Sequence, residues 1–550
     1  MTFQTHAQMK KLVNKILFIF LNCFLIQLNS QNLDTAQQRI QIDSLLNLSR
    51  QHLSRKSNDT SIMLIDQASV ILEKRSNNML QAKINYTYGV YHQLNGNSNK
   101  AEDYYLMALK YFNKKNPLLE KTYNNLGLLY IDMGEYDKGK NIYEKLQKMR
   151  KKLYGEVHLG YAECMNNLGS IHDKMFEYQK AKNYLIHAKS LYQKLYGIQS
   201  VKCADATYNL AVVESNLGNI NQSLQLYHES IKIISDVIGT QNQFYARYMQ
   251  NLGTVYYGLH DFSKTDSIWN EILTYLEIDT ASSKEAYINL LNNFGALRLA
   301  QLRHNEAEDY FTKAIFVAKH SKGISDVILA GLYLNLAAYY INVNNFEKAY
   351  QLLKDAEAIY IKNSLTQSLK FSSLQFLFAT YYAMNSDFSK IDSCVNLCIQ
   401  ITERIYTRAH PKFNELVFRI ANLYFEIEKY NVAENLLLIS RKNYNQDLTK
   451  NEYDLAKLNV LQATIYSKNN LNKEGIHLLE IAKSIIEKTI GKKSSEYLQT
   501  LHDLAFNFEK SGNYKSAEKS WNEYFKIKNN LLLEGTNYLS SDELEHYTIK

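Results

Sequence analysis

Small residues recur in this chain at one spacing, and that spacing constrains the fold more than any other feature. Stepping by 42 from Gly127 lands on Gly169, Ala211, Gly253, Gly295, Ala337, Ala379, Ala421, Ala463 and Ala505. Gly89 precedes the series by 38. Twelve residues after each of these comes a second small side chain: Ala101, Gly139, Ala181, Ser223, Thr265, Ala307, Ala349, Ala433, Gly475 and Ala517. Only Ile391 breaks this second series. Two small residues in fixed phase let two helices approach closely. Self-similarity at a period of roughly 20–50 residues marks a solenoid or a propeller.

Other phases mark the helix ends. Seven residues after the first small residue stand Gly96, Gly134, Gly218 and Gly512, with Asn344 and Asn470 in the same slot. Glycine and asparagine tolerate the left-handed conformation that ends a helix. Fourteen residues before it stand Gly155, Gly197, Gly239, Gly323 and Gly491, which close the preceding hairpin. Pro117 and Pro411, the only prolines, lie ten residues before it, where a helix begins. Each unit therefore reads as helix A, a tight turn, helix B and a short link. Three residues after the small residue runs an aromatic stripe: Tyr130, Tyr256, Tyr340, Tyr382, Tyr424, Tyr466 and Phe508. At helical spacing such a stripe is core between stacked helices. His92, His172, Glu214 and Arg298 replace it in the remaining units. A polar contact between His172 and Glu214 of neighbouring units is the expected use of that pair.

The residues Leu126-Gly127, Tyr130, Gly139 and Tyr143 resemble the signature of the tetratricopeptide repeat. That family's usual unit is shorter, about 34 residues with a terminal proline. The unit here is 42 residues and lacks that proline, so the chain is similar to the long-helix subclass found in kinesin light chains. The resemblance covers residues 79–531. It implies an all-α fold, a right-handed superhelical solenoid of about eleven to twelve helix-turn-helix repeats. It also implies a concave face lined by the A helices and a protein or peptide as partner.

Composition agrees with helix. Two prolines and twenty glycines in 550 residues leave little room for other structure. A 46% hydrophobic content excludes a disordered chain. The formal charge is +8, but Lys10, Lys11 and Lys15 supply three of those charges, and the rest are spread thinly. Nucleic-acid binders cluster Lys and Arg on one face, so no nucleic-acid partner is expected. No apolar run reaches the ~18 residues of a spanning helix.

Met9-Lys10-Lys11-Leu12 opens a basic segment, an apolar run follows from Ile16 to Leu28, and Asn29-Ser30 ends it. This order is that of a secretory signal peptide. Residues 1–30 are therefore expected to direct export to the periplasm or beyond, with cleavage after Ser30 and either Met1 or Met9 as start. The rival reading is an uncleaved anchor. Cys164, Cys203, Cys394 and Cys398 read as small buried residues.

Residues 31–76 read as an imperfect capping hairpin, with helices over Ile40–Leu53 and Ser61–Lys74. Residues 77–531 carry eleven repeats, with a local distortion over Leu365–Ile401 where Leu365 and Ile391 break the pattern. Residues 532–550 read as a tail, with a fresh helix beginning near Ser540. This junction is similar to that of bacterial arrays preceding a caspase-like peptidase of the CHAT family. On that resemblance the chain would be the sensor or adaptor arm of a larger effector.

No HExxH, CxxC, GxSxG or GxGxxG occurs. Gly491-Lys492-Lys493-Ser494 lacks the earlier glycine of a phosphate loop. No catalytic residue, cofactor or metal is expected. One polar series stands out, two residues before the small residue: Asn125, Asn167, Asn209, Asn251, Asn293 and Asn335. A step of two residues turns about 200° around a helix, away from the partner helix. An amide carries both a donor and an acceptor, the pairing that an extended peptide backbone presents. The series is the candidate peptide-binding groove; the competing reading is helix packing.

Overall fold

In the computed structural model, residues 35–533 are described except 55–56, 74–76, 114–115, 279–283, 322–323, 407, 409, 447–451 and 493. The segments read as signal peptide and as C-terminal tail helix, together with Gly323, lie outside these residues. The described chain forms twenty-four helices in twelve hairpins. The A helices are α1 (Thr35–Ser54), α3 (Asn78–Leu94), α5 (Pro117–Asp132), α7 (Leu159–Lys174), α9 (Val201–Asn216), α11 (Gln243–Gly258), α13 (Lys284–Ala300), α15 (Asp326–Asn342), α17 (Leu369–Met384), α19 (Pro411–Glu426), α21 (Glu452–Lys468) and α23 (Ser495–Lys510). The B helices are α2 (Asn58–Glu73), α4 (Ser98–Leu109), α6 (Tyr136–Tyr154), α8 (Tyr178–Tyr196), α10 (Ile220–Ile238), α12 (Phe262–Ile278), α14 (His304–His320), α16 (Phe346–Lys362), α18 (Ile391–Ile405), α20 (Tyr430–Gln446), α22 (Asn472–Thr489) and α24 (Tyr514–Leu533). The fold is an all-α repeat superhelix. The chain divides into two compact units, Met1–Met175 and Phe176–Lys550.

Helices A and B close on each other at the periodic small residue. A Cβ built on Gly127 would lie 2.6 Å from the Tyr143 ring, and one on Gly89 would lie 2.5 Å from Tyr105. Gly295 faces Phe311 at 2.7 Å, and Gly253 faces Trp269 more closely still. Each aromatic sits sixteen residues after its glycine. Where the marker is Ala337, Ala421 or Ala463, that position holds Leu353, Leu437 or Leu479, all at most 1% exposed. Other pairings occur as well, Gly169 with Leu185 and Ala211 with Tyr227, so each crossing packs its own combination of small and large side chain.

The second small position is also buried. Ala101, Ala181, Ser223, Thr265, Ala307, Ala349 and Ala433 are fully covered. The Ser223 hydroxyl donates to the Ala211 carbonyl across the crossing, 2.7 Å away. Ile391 is equally buried in that slot. There helix B begins at Ile391 itself, whereas α6, α8 and α10 begin three residues earlier in phase. The expected distortion is thus the loss of one helical turn beside an oversized side chain.

The turn between A and B takes a positive φ in every unit from Gly96 to Gly512. Glycine and asparagine supply it as expected, but Phe176, His260, Leu302, Ser386 and Glu428 supply it too, at φ 57–61°. The A helices start on side-chain caps eleven residues before the marker: Asn116, His158, Ser200, Asn242, Ser368, His410 and Ser494 each accept a backbone N–H of the first turn. Such caps typically contribute ~1 kcal/mol each. Pro117 and Pro411 open α5 and α19 as expected.

Candidate functional site

Successive A helices meet one another directly, as α11 meets α13 and α15 meets α17, while successive B helices approach less. The A helices therefore lie on the inner side of the curve within each unit. The asparagine series belongs to this side. Asn125, Asn167, Asn209, Asn251 and Asn293 are half-buried, and Asn335 is exposed.

The series is wired from repeat to repeat. Asn251 donates its amide N–H to the Tyr208 hydroxyl on the preceding A helix. Asn335 donates to Asn292 Oδ1 at 2.9 Å, and Asn125 approaches the Tyr105 hydroxyl at 3.5 Å. Asn167 hydrogen-bonds the Tyr143 hydroxyl. The amides were expected to point away from the partner helix as a peptide-binding series, with helix packing as the competing reading. An amide hydrogen of Asn125, Asn251 and Asn335 is spent on the neighbouring repeat. The reason is the phenol and amide groups that the packed A helices bring within reach, since a half-buried donor needs a partner. The tyrosines stay protonated: burial pushes the pKa values of Tyr105 and Tyr143 upward.

Around this series the inner face carries two stacked guanidinium groups. Arg247 lies over the Tyr208 and Tyr248 rings at 5.0 and 5.3 Å and pairs with Asp205 at 2.6 Å. Arg419 occupies the asparagine slot of its own repeat and lies 4.1 Å from the Phe376 ring centroid. Desolvation holds the Arg419 pKa below its usual value.

The aromatic stripe forms a second polar seam. The Tyr130 hydroxyl donates to Glu102 at 2.8 Å, Tyr424 donates to Asp392, and Tyr340 donates to Glu308. Each acid stands in one phase on the preceding helix B. The two charged exceptions keep the contact. Arg298 reaches Asp266 at 2.6 Å. Glu214, fully buried, lies 2.7 Å from Lys182 as an ion pair and accepts from Asn219 at 2.8 Å. In that repeat the acid of the usual phase is replaced by lysine and the tyrosine by glutamate. His172 is buried. His92 stacks on Tyr104, 5.3 Å between centroids. Arg298 and Glu214 thus join neighbouring repeats, whereas the His92 stack lies within its own hairpin; the inter-repeat pairing was legible only by comparing two phases at once.

Cys164, Cys203 and Cys398 are buried free thiols, and Cys394 is half-buried. Burial pushes the Cys164 pKa up to about 11 and that of Cys398 to about 12, which keeps both protonated and inert. Among the described residues, no helix is long and apolar enough to cross a membrane.

Residues 118–194 and 202–264 match the family model described as tetratricopeptide repeat. Comparison with curated proteins returned no match. Three solved structures are similar in helical arrangement. BtubC (BKLC) from P. vanneervenii is 22% identical over 45% of this chain and 94% of its own, with a TM-score of 0.32. The apo quorum sensor NprR from B. thuringiensis is 16% identical over 66% and 98%, with a TM-score of 0.45. A Rap protein complexed with Competence and Sporulation Factor is 14% identical over 74% and 99%, also with a TM-score of 0.45. The matched segments are tetratricopeptide repeats, and the small residues, capped A helices and left-handed turns of their hairpins recur through the described chain.

Proposed function

We propose that this chain is a non-catalytic scaffold that holds an extended peptide or protein segment along its inner, A-helix face. One observation carries the reading: within each unit successive A helices place an asparagine in the same phase on that face, two in the first unit and four in the second. Each amide oxygen and second amide hydrogen can serve a bound backbone, because a primary amide has more hydrogen-bonding capacity than one bond uses. Arg247, held on aromatic rings and paired with Asp205, adds further hydrogen-bond donors beside the series. Export through the Lys10–Ser30 segment completes the proposal and places the ligand in the cell envelope or outside it.

The test is capture from native envelope extract, followed by hydrogen exchange of the complex. Protection gathered on α9, α11, α13 and α15 supports the reading, and protection confined to B helices overturns it. Mass spectrometry of the exported protein should find its N-terminus near Gln31; a mature chain retaining Met1 or Met9 contradicts export by cleavage.

A further inference from the structure

The link between helices B and A carries the same two-ring plate at two places. Tyr154 stacks on His158, with centroids 4.3 Å apart and planes at 23°. Tyr406 stacks on His410, with centroids 4.0 Å apart and planes at 13°. Both pairs occupy the same phases of the repeat. Both histidines cap the following helix through Nδ1: His158 accepts from Gly160 N–H and His410 from Lys412 N–H, each at 3.1 Å.

The second plate is occupied. Phe176, at the left-handed turn between α7 and α8, stands edge-on to it, 4.4 Å from the His410 centroid and 5.9 Å from Tyr406. The chain thus shows what such a plate receives: an apolar side chain lifted from an A–B turn by a positive φ. The first plate is open. Tyr154 is 49% exposed and its neighbours Leu153 and Val157 are 52% and 60% exposed. Tyr154 is held in place, its hydroxyl donating to Glu120 at 2.7 Å, while Glu120 also receives Arg150. A matching turn is also open. Leu302 has the phase of Phe176 and the same left-handed φ of 57°, and it is 48% exposed.

We propose that the Tyr154–His158 plate docks the α13–α14 turn of a second copy of this chain, with Leu302 as the inserted side chain. The occupant is a second copy because the contact that fills the equivalent plate is made by this chain's own A–B turn. The contact uses two different patches, so a pair of copies still leaves one patch of each kind free. A heterologous contact of this kind adds copies head to tail.

Sedimentation velocity of the full chain tests this. The mean mass of the parent should rise with concentration past that of a dimer. Tyr154→Asp and Leu302→Asp should each sediment as monomers. An equimolar mixture of the two variants should form a one-to-one dimer and nothing larger, because each retains the patch the other has lost. If Tyr154→Asp loses helical circular dichroism, Val157→Asp on the same edge replaces it. A parent that stays monomeric at every concentration, variants that assemble like the parent, or a mixture that stays monomeric would each overturn the proposal.

Discussion

The Phe176 ring stands edge-on to the His410 imidazole, 4.4 Å between centroids, although 234 residues separate them. Two more contacts in the second unit span similar separations. His260 Nε2 lies 3.7 Å from Glu496, and residues Leu217–Gln222 form a cleft with Glu452, Lys488 and Thr489. In each case an A–B turn meets a B–A link between five and six repeats later. Superhelical turns of that unit therefore touch, and the first of these contacts passes through His410.

That histidine makes stability depend on pH. Desolvation, with Lys412 nearby, lowers the His410 pKa to about 4. Protonation would also occupy Nδ1, which accepts the Lys412 N–H. The folded state thus prefers neutral His410 more than the unfolded chain does, where the pKa is about 6.5. The contribution is complete above pH about 6.5 and is lost as pH falls toward 4. Melting temperature against pH should show this decline. His410→Asn, which caps without titrating, should flatten it; an unchanged profile contradicts the assignment.

The seam between Gly127 and Tyr143 predicts a compensated pair. Gly127→Ala alone should destabilise by about 1–3 kcal/mol, because the methyl meets the ring. Tyr143→Leu should relieve the clash, recreating the Ala337–Leu353 arrangement of another repeat. A double-mutant cycle by chemical denaturation should therefore give a favourable coupling. Additive effects would mean the two side chains do not share the seam.

Leu302 predicts a stabilising change. A left-handed residue other than glycine costs roughly 1–2 kcal/mol. Glycine returns part of that through a more flexible unfolded chain, leaving about 0.5–1 kcal/mol for Leu302→Gly. Thermal melting measures it, and a lower melting temperature contradicts it.

These turns show where the sequence was legible and where it was not. Gly96 and Asn344 announce a left-handed turn because their chemistry suits it. Phe176 and Leu302 do not, because the helix crossing on either side forces the backbone whatever the side chain. The hairpins were readable from one phase of small residues, since each crossing repeats the same local geometry. The cap phase carries asparagine, histidine and serine, so it is visible only when read as hydrogen-bond acceptors. The contact of Phe176 with His410 leaves no periodic trace, because it depends on how the repeat rotations accumulate. Of the candidate site, the asparagine phase was legible. Its hydrogen bonds to Tyr208 and Asn292 depend on side chains of another repeat and were not.

Those bonds bear on Asn251. Asn251→Ala removes the amide that serves the Tyr208 hydroxyl, and Tyr208 is 6% exposed. A loss of about 0.5–1.5 kcal/mol in denaturation is expected. No loss would mean that the bond contributes nothing to the seam.

The central claim is that the asparagine face holds the ligand. Calorimetric titration of the captured ligand tests it against three proteins: the parent, Asn209→Ala/Asn251→Ala, and Ile186→Asp on the exposed side of α8. The double variant should bind about 5- to 150-fold more weakly, equivalent to losing about 1–3 kcal/mol in two hydrogen bonds. Ile186→Asp should bind like the parent. Parental affinity in the double variant, or a loss confined to Ile186→Asp, would contradict the account.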